Sequence, residues 1–166
     1  MIDGMRRLLI LRHAKSSWDE PGLDDHDRPL NDRGERDAPR MGRLLSRERI
    51  VPDRIVSSTA VRARRTAEQV AEACGYGGEI VLTRRLYGAD PGECLALLGE
   101  LQDEDRTVLL VGHNPCLEEL VERLAGRAER MPTASLALLV FSVGSWREVA
   151  SGPRGKLLAI WRPKEL

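Results

Sequence analysis

Arg7-Leu8-Leu9-Ile10-Leu11-Arg12-His13-Ala14-Lys15-Ser16 and Thr107-Val108-Leu109-Leu110-Val111-Gly112-His113-Asn114-Pro115 decide the fold of this chain. Each is a short apolar run with a histidine just beyond its end. Such runs, apolar at successive positions, read as strands buried on both faces, and Ile55-Val56 and Ile80-Val81-Leu82 read the same way. Helical patterns separate them. Ala63, Thr66, Ala67, Val70, Ala71 and Cys74 recur every three or four residues, as do Leu117, Leu120, Val121 and Leu124, giving each helix one core-facing side. Asp32 with Glu35 reads as a capping box opening a helix that carries Ala38, Met41, Leu44 and Leu45, with Pro39 as a kink point in its first turns. Strands alternating with helices predict an α/β fold, a three-layer α/β/α sandwich around a mostly parallel central sheet. The last third changes character. Leu136 to Phe141, Trp146 to Ala150 and Leu157 to Trp161, separated by Ser142-Val143-Gly144-Ser145 and Ser151-Gly152-Pro153-Arg154-Gly155, read as strands returning through turns, with an antiparallel strand at the sheet edge.

The 166 residues, 42% of them hydrophobic, suffice for one sizeable core, so a single domain over 1–166 is expected. Lys+Arg and Asp+Glu both total 26, a balance that argues against general affinity for nucleic acid or an anionic membrane. Cys74, Cys94 and Cys116 have no CxxC spacing and read as reduced core thiols. The start, Met1-Ile2-Asp3-Gly4-Met5-Arg6-Arg7, precedes an apolar run too short for a secretion signal or a membrane span, which makes the cytoplasm the expected compartment.

In an open parallel sheet, ligands bind beyond the carboxyl ends of the strands, where loops converge and helix amino termini point. The first strand delivers Arg12 and His13 there, the second leads through Ser57-Ser58-Thr59 to Arg62, and the later one delivers His113. Asn114 reads as the N-cap and Pro115 as the first residue of the following helix, which places His113 at a positive helix end. A histidine beside an arginine can attack phosphorus while the cation holds phosphoryl oxygens, so the constellation points to phosphate-ester or phosphoramidate chemistry. Ser58 and Thr59 read as caps for the next helix or as pocket hydroxyls. Lys15 and Ser16 are candidate substrate-binding groups at the pocket mouth. Of the three tryptophans, Trp18 lies nearest the site in sequence, while Trp146 and Trp161 read as packing or rim residues. The acidic stretch from Trp18 to Asp27 reads as a solvated loop. Its Asp24, Asp25, His26 and Asp27 are metal-ligand types without a recognised spacing, and no metal is expected.

The Arg-His-Ala-Lys-Ser start, Arg28-Pro29-Leu30 with Gly34, Arg62-Ala63-x-x-Thr66, Val111-Gly112-His113-Asn114-Pro115 and Pro132-Thr133-Ala134-Ser135 occur in an order that resembles the histidine phosphatase superfamily, the phosphoglycerate-mutase-like fold. Among its branches the chain is most similar to the small SixA-like phosphohistidine phosphatases, from about residue 7 to about residue 161. The resemblance implies that His13 is the nucleophile and forms a phosphohistidine that water hydrolyses. It further implies that Arg12 and Arg62 clamp phosphate, and that His113 stabilises the transferring group without metal or other cofactor. Relatives that cleave esters place a carboxylic acid near the leaving oxygen. Here Asp90 is the candidate general acid, although Pro91 and Glu93 after it also make it an N-cap. An imidazole leaves far more readily than an alkoxide, so the thin evidence for an acid favours a phosphohistidine substrate. Ester-cleaving relatives also carry a neutral amide six residues past the nucleophile; this chain has Asp19, expected to face away. The implied partner is a phosphorylated protein, such as a histidine-containing phosphotransfer domain. The alternatives are a small-molecule phosphomonoesterase with a carboxylate acid and a noncatalytic phosphoprotein-binding module.

Overall fold

A computed structural model describes residues 4–152 and 154–166. Met1 to Asp3, part of the stretch weighed as a leader, and Pro153 of the last turn lie outside the described residues. The strands are β1 (Arg6–Arg12), β2 (Arg54–Ser58), β3 (Ile80–Thr83), β4 (Thr107–Gly112), β5 (Leu136–Phe141) and β6 (Lys156–Trp161). They form one sheet in the order β3-β2-β4-β1-β5-β6. The pairs β3/β2, β2/β4 and β4/β1 are parallel, and β1/β5 and β5/β6 are antiparallel. The expected antiparallel pairing at the sheet's edge is present: β5 is the strand that runs against the rest, and β6 closes the edge beside it.

Among the described residues five α-helices cover the sheet, α1 (Asp32–Arg47), α2 (Val61–Cys74), α3 (Pro91–Gly99), α4 (Cys116–Ala125) and α5 (Trp146–Ser151). Because successive strand residues point to opposite faces, Leu9, Leu11, Leu109 and Val111 pack with α1 and α2, whereas Leu8, Ile10, Val108 and Leu110 pack with α3, α4 and α5. This double burial is why β1 and β4 are apolar throughout. Every residue of the helical periodicities in α2 and α4 is buried, joined by Arg62 and Cys116 in their first turns. All three cysteines are buried free thiols, and Cys94 and Cys116 meet between α3 and α4 with their sulfurs 3.1 Å apart.

Four local expectations are corrected. Trp146 to Ala150 is a helix, not a strand: the Ser145 side chain accepts from the Glu148 amide and the Glu148 carboxylate accepts from the Gly144 amide, a capping box whose Ser-x-x-Glu signature outweighs the segment's β-like composition. The cap of α1 is Asn31, one residue earlier than Asp32, with its side chain accepting from the Gly34 amide; α1 then continues unbroken through Pro39. Asn114 does not cap α4; its Nδ2 donates to the Met131 carbonyl 2.8 Å away, and the helix opens at Cys116 after Pro115. Neither Ser58 nor Thr59 caps α2, which starts after Ala60 without a side-chain cap.

Gly34 ties the fold to the site. A Cβ at this position would run into the Lys15 carbonyl oxygen, so only glycine lets the first turn of α1 lie against the chain just after His13. Gly34→Ala inverts the usual helix preference for alanine. It should destabilise the protein by about 1–3 kcal/mol, as forced overpacking does, seen as a lower midpoint in thermal or urea unfolding.

Candidate active site

The site follows from strand register. In the parallel β1/β4 pair Arg12 aligns with Gly112, so the next residues, His13 and His113, leave adjacent strands at about the 4.8 Å strand spacing. Their rings lie 5.1 Å apart, centroid to centroid, tilted by 54°. Three main-chain bonds fix this departure: the His13 amide donates to Gly112 O at 3.0 Å, and the Ala134 amide donates to both Arg12 O and His13 O at 3.1 Å. Thr66 on α2 adds a fourth tie, since its hydroxyl accepts from the Ala14 amide at 3.0 Å while donating to Arg62 O at 2.7 Å. The Arg62-x-x-x-Thr66 spacing thus anchors the loop after His13 to the helix that supplies Arg62.

His13 Nδ1 lies 2.7 Å from the Ala14 carbonyl. A carbonyl can only accept, so in the neutral ring Nδ1 carries the proton and Nε2 keeps its lone pair. Burial, then the neighbouring His113, Arg62 and Arg12, lower the His13 pKa to about 3 against the hydrogen bond to Ala14. Burial and then Arg62 and Arg12 lower that of His113 to about 4, with Asp25 opposing. His113 Nε2 is 2.8 Å from Ser58 Oγ, which also accepts from the Ala60 amide. Ser58, read from sequence as a cap or a pocket hydroxyl, instead orients this second imidazole from the end of β2.

These histidines have a measurable consequence for stability. In the unfolded chain both take up protons below about pH 6.5, whereas in the folded chain His13 resists to about 3 and His113 to about 4. The unfolded state therefore binds more protons in this window, and stability falls as pH drops from about 6.5 toward 4. Thermal melts between pH 7 and 4 should show this decline, and His13→Gln should make it shallower.

An open pocket of about 570 Å³ is lined by both histidines together with Arg12, Arg62, Lys15 and Ser16, all named as candidates from sequence. Arg12 donates from Nη1 to Met131 O at 3.2 Å. Arg12 and Arg62 line the pocket, where a planar guanidinium can bind phosphoryl oxygens, and their Nε atoms are buried without an acceptor among the described residues. Ser16 is turned to a protein partner, its Oγ accepting from Arg28 Nη1 at 2.7 Å. Asp90 does not line the pocket; its carboxylate accepts from the Glu93 amide at 2.9 Å and caps α3. Asp19 is exposed and also outside the pocket lining.

Sequence reasoning missed Asp25, Arg28 and Tyr87. The acidic loop is not wholly a solvated one, because Asp25, its side chain half exposed, bonds across the pocket mouth to Arg62, Arg28 and Tyr87. Burial pushes the Asp25 carboxyl up, but hydrogen bonds from Tyr87, Arg62 and Arg28 and the charge of Arg62 outweigh it and lower its pKa to about 2. Arg28 lies 3.5 Å from the Trp18 ring centre, so the guanidinium supports an indole at the rim that is 69% exposed. The Arg28-Pro29-Leu30 motif was visible in sequence; the bonding of Asp25, three residues before it, had no periodic or spacing signal.

Comparison with known proteins places the chain. A family model described as histidine phosphatase superfamily (branch 1) matches residues 8–107. An uncharacterised protein of Mycobacterium tuberculosis strain H37Rv is 35% identical over 86% of this chain and 93% of its own length, and an uncharacterised chloroplastic protein of Arabidopsis thaliana is 35% identical over 90% and 74%. A 2,3-bisphosphoglycerate-dependent phosphoglycerate mutase of Streptomyces avermitilis is 35% identical over 61% of this chain but only 45% of the mutase. Among solved structures, a protein of Agrobacterium tumefaciens provisionally named phosphohistidine phosphatase SixA superposes with a TM-score of 0.81 at 34% identity, covering 95% of this chain and 98% of that one. A protein histidine phosphatase SixA complexed with tungstate gives 0.83 at 23% identity, over 96% and 98%, and supports the fold. The chain belongs to the histidine phosphatase superfamily, and its fold is the phosphoglycerate-mutase-like fold of the SixA structures.

Proposed function

We propose that this protein is a phosphohistidine phosphatase that acts on a phosphorylated protein through a covalent intermediate on His13. The observation that supports the reading is the pair of neutral imidazoles, 5.1 Å apart, in a pocket lined by the guanidinium groups of Arg12 and Arg62. His13 Nε2 attacks phosphorus in line, the bond from phosphorus to the substrate nitrogen breaks, and the leaving imidazole departs with its protons. Water then attacks the phosphorus on His13, releasing inorganic phosphate and restoring the neutral ring. Arg12 and Arg62 hold the phosphoryl oxygens, and His113 stabilises the charge redistributed over them in the transition state.

The choice of an N-phosphate over an ester rests on the proton supply. Among the described residues, Asp25 is the one carboxylate lining the pocket, and three donors keep it ionised. An alkoxide needs a proton as it leaves, whereas a protonated imidazole does not. Asp90, as the cap of α3, is outside the chemistry in this reading. Asp90→Asn keeps a capping side chain and should leave turnover within about twofold; an ester-cleaving enzyme using Asp90 as acid would lose about 10²-fold or more.

The substrate test compares a phosphohistidine-bearing protein or peptide with small sugar phosphates by kcat/KM. The proposal expects efficient release of phosphate from phosphohistidine and little from sugar phosphates. The reverse ranking would establish the phosphomonoesterase alternative. The exposed Trp18 indole at the rim suits contact with a polypeptide that presents the phosphorylated side chain.

A further inference from the structure

Asp25 makes more polar contacts in the pocket than its place in a surface loop would suggest. Its carbonyl accepts from Arg62 Nη1 at 2.6 Å and its Oδ2 accepts from Arg62 Nη2 at 3.0 Å. The same Oδ2 accepts from the Tyr87 hydroxyl at 2.8 Å, and Oδ1 accepts from Arg28 Nε at 3.1 Å. The Tyr87 ring stands edge-on to His113, 5.6 Å between centres. Arg28 is itself held by Ser16 Oγ and Ser17 O. A guanidinium gripped at both terminal nitrogens is held against swinging about its side-chain axis, and Arg62 is held so where it lines the pocket.

We propose that Asp25 is a positioning residue for phosphoryl transfer: it locks Arg62 into its phosphate-binding pose, braces His113 through Tyr87, and gives no proton to the leaving group. A carboxylate beside a phosphate site repels the ground-state dianion, so its presence is accounted for only by a benefit elsewhere. Fixed geometry at the transition state is such a benefit, since misplacing a positioning group by about 1 Å can cost about 10²-fold in rate. Substituting Asp25 should therefore act oppositely on binding and on turnover. This inference rests on reading the pocket as a phosphoryl-transfer site.

The test is a double-mutant cycle with Asp25→Asn and Arg62→Ala, assayed on a phosphohistidine peptide and on p-nitrophenyl phosphate. Asp25→Asn should lower kcat about 10- to 100-fold, by the same factor on both substrates, without weakening inhibition by inorganic phosphate. In the Arg62→Ala background its effect should shrink to no more than the small loss that Tyr87→Phe gives. Tyr87→Phe, which removes one donor and keeps the ring, should give a smaller loss of the same kind, and unchanged melting curves would exclude misfolding. A loss confined to one leaving group would make Asp25 a general acid, and additive losses or an unchanged kcat would also overturn the proposal. Should the wild type turn over neither substrate, the functional reading fails by itself. The cycle is then read from orthovanadate affinity, which Asp25→Asn should weaken much more when Arg62 is present than when it is absent; an equal effect in both backgrounds refutes the positioning role.

Discussion

His13→Ala should abolish turnover, with kcat down on the order of 10⁴-fold or more, as expected when the nucleophile of a concerted set is removed. The magnitude follows from the ring's tautomer. Nδ1 is committed to the Ala14 carbonyl, so the lone pair on Nε2 is the nucleophilic electron pair this position supplies, and alanine offers none. Because burial and the nearby arginines keep His13 neutral down to about pH 3, the wild-type rate should not fall through the ordinary histidine range on acidification in the manner of an exposed imidazole. A rate profile from pH 8 to 5 measures this directly. A steep acid limb centred near 6.5 would mean that His13 is protonated far more easily than its surroundings dictate.

The second large effect is expected at His113. Its alanine variant should lose about 10²–10³-fold in kcat, the range found when one donor to a developing oxyanion is removed. Substrate KM should change much less, because Arg12 and Arg62 remain to hold the ground-state phosphate. His113 is oriented by Ser58 Oγ at 2.8 Å and by the edge of Tyr87, so Ser58→Ala should reproduce a fraction of the loss. Steady-state kinetics separate the two: a drop in kcat at near-constant KM fits transition-state stabilisation, while a rise in KM alone would make His113 a binding group.

The layered α/β fold was legible because its evidence is repeated along the chain. Apolar runs at β1 and β4 announce strands buried on both sides, and the three-and-four spacings of α2 and α4 need a buried face to make sense. Short segments were harder. Trp146 to Ala150 is too brief for a period to emerge, and its identity lay in Ser145, read as part of a turn, and Glu148, read as part of a strand. That the four candidate residues Arg12, His13, Arg62 and His113 share one pocket was legible because strand ends in a parallel sheet converge wherever the strands pair, and the register of β1 with β4 carries His13 to His113. Asp25 was not legible. An acidic stretch with Asp19, Glu20, Asp24, Asp25 and Asp27 does not say which carboxylate bonds across the pocket mouth; that depends on Arg28, Arg62 and Tyr87 meeting across three separate segments. Cap positions shifted for the same reason. Asn114 looks like an N-cap by type, but the Met131 carbonyl, distant in sequence, claims its amide.

The central claim is that phosphorus is bonded for a time to His13. Mixing the protein with a phosphohistidine peptide, quenching within milliseconds at alkaline pH and mapping the phosphoryl group by mass spectrometry reads that bond. The account predicts an acid-labile adduct on the peptide containing His13, absent from His13→Ala and accumulating when its hydrolysis is slow. Steady release of phosphate with no adduct at any time, or an adduct on a different residue, would contradict it.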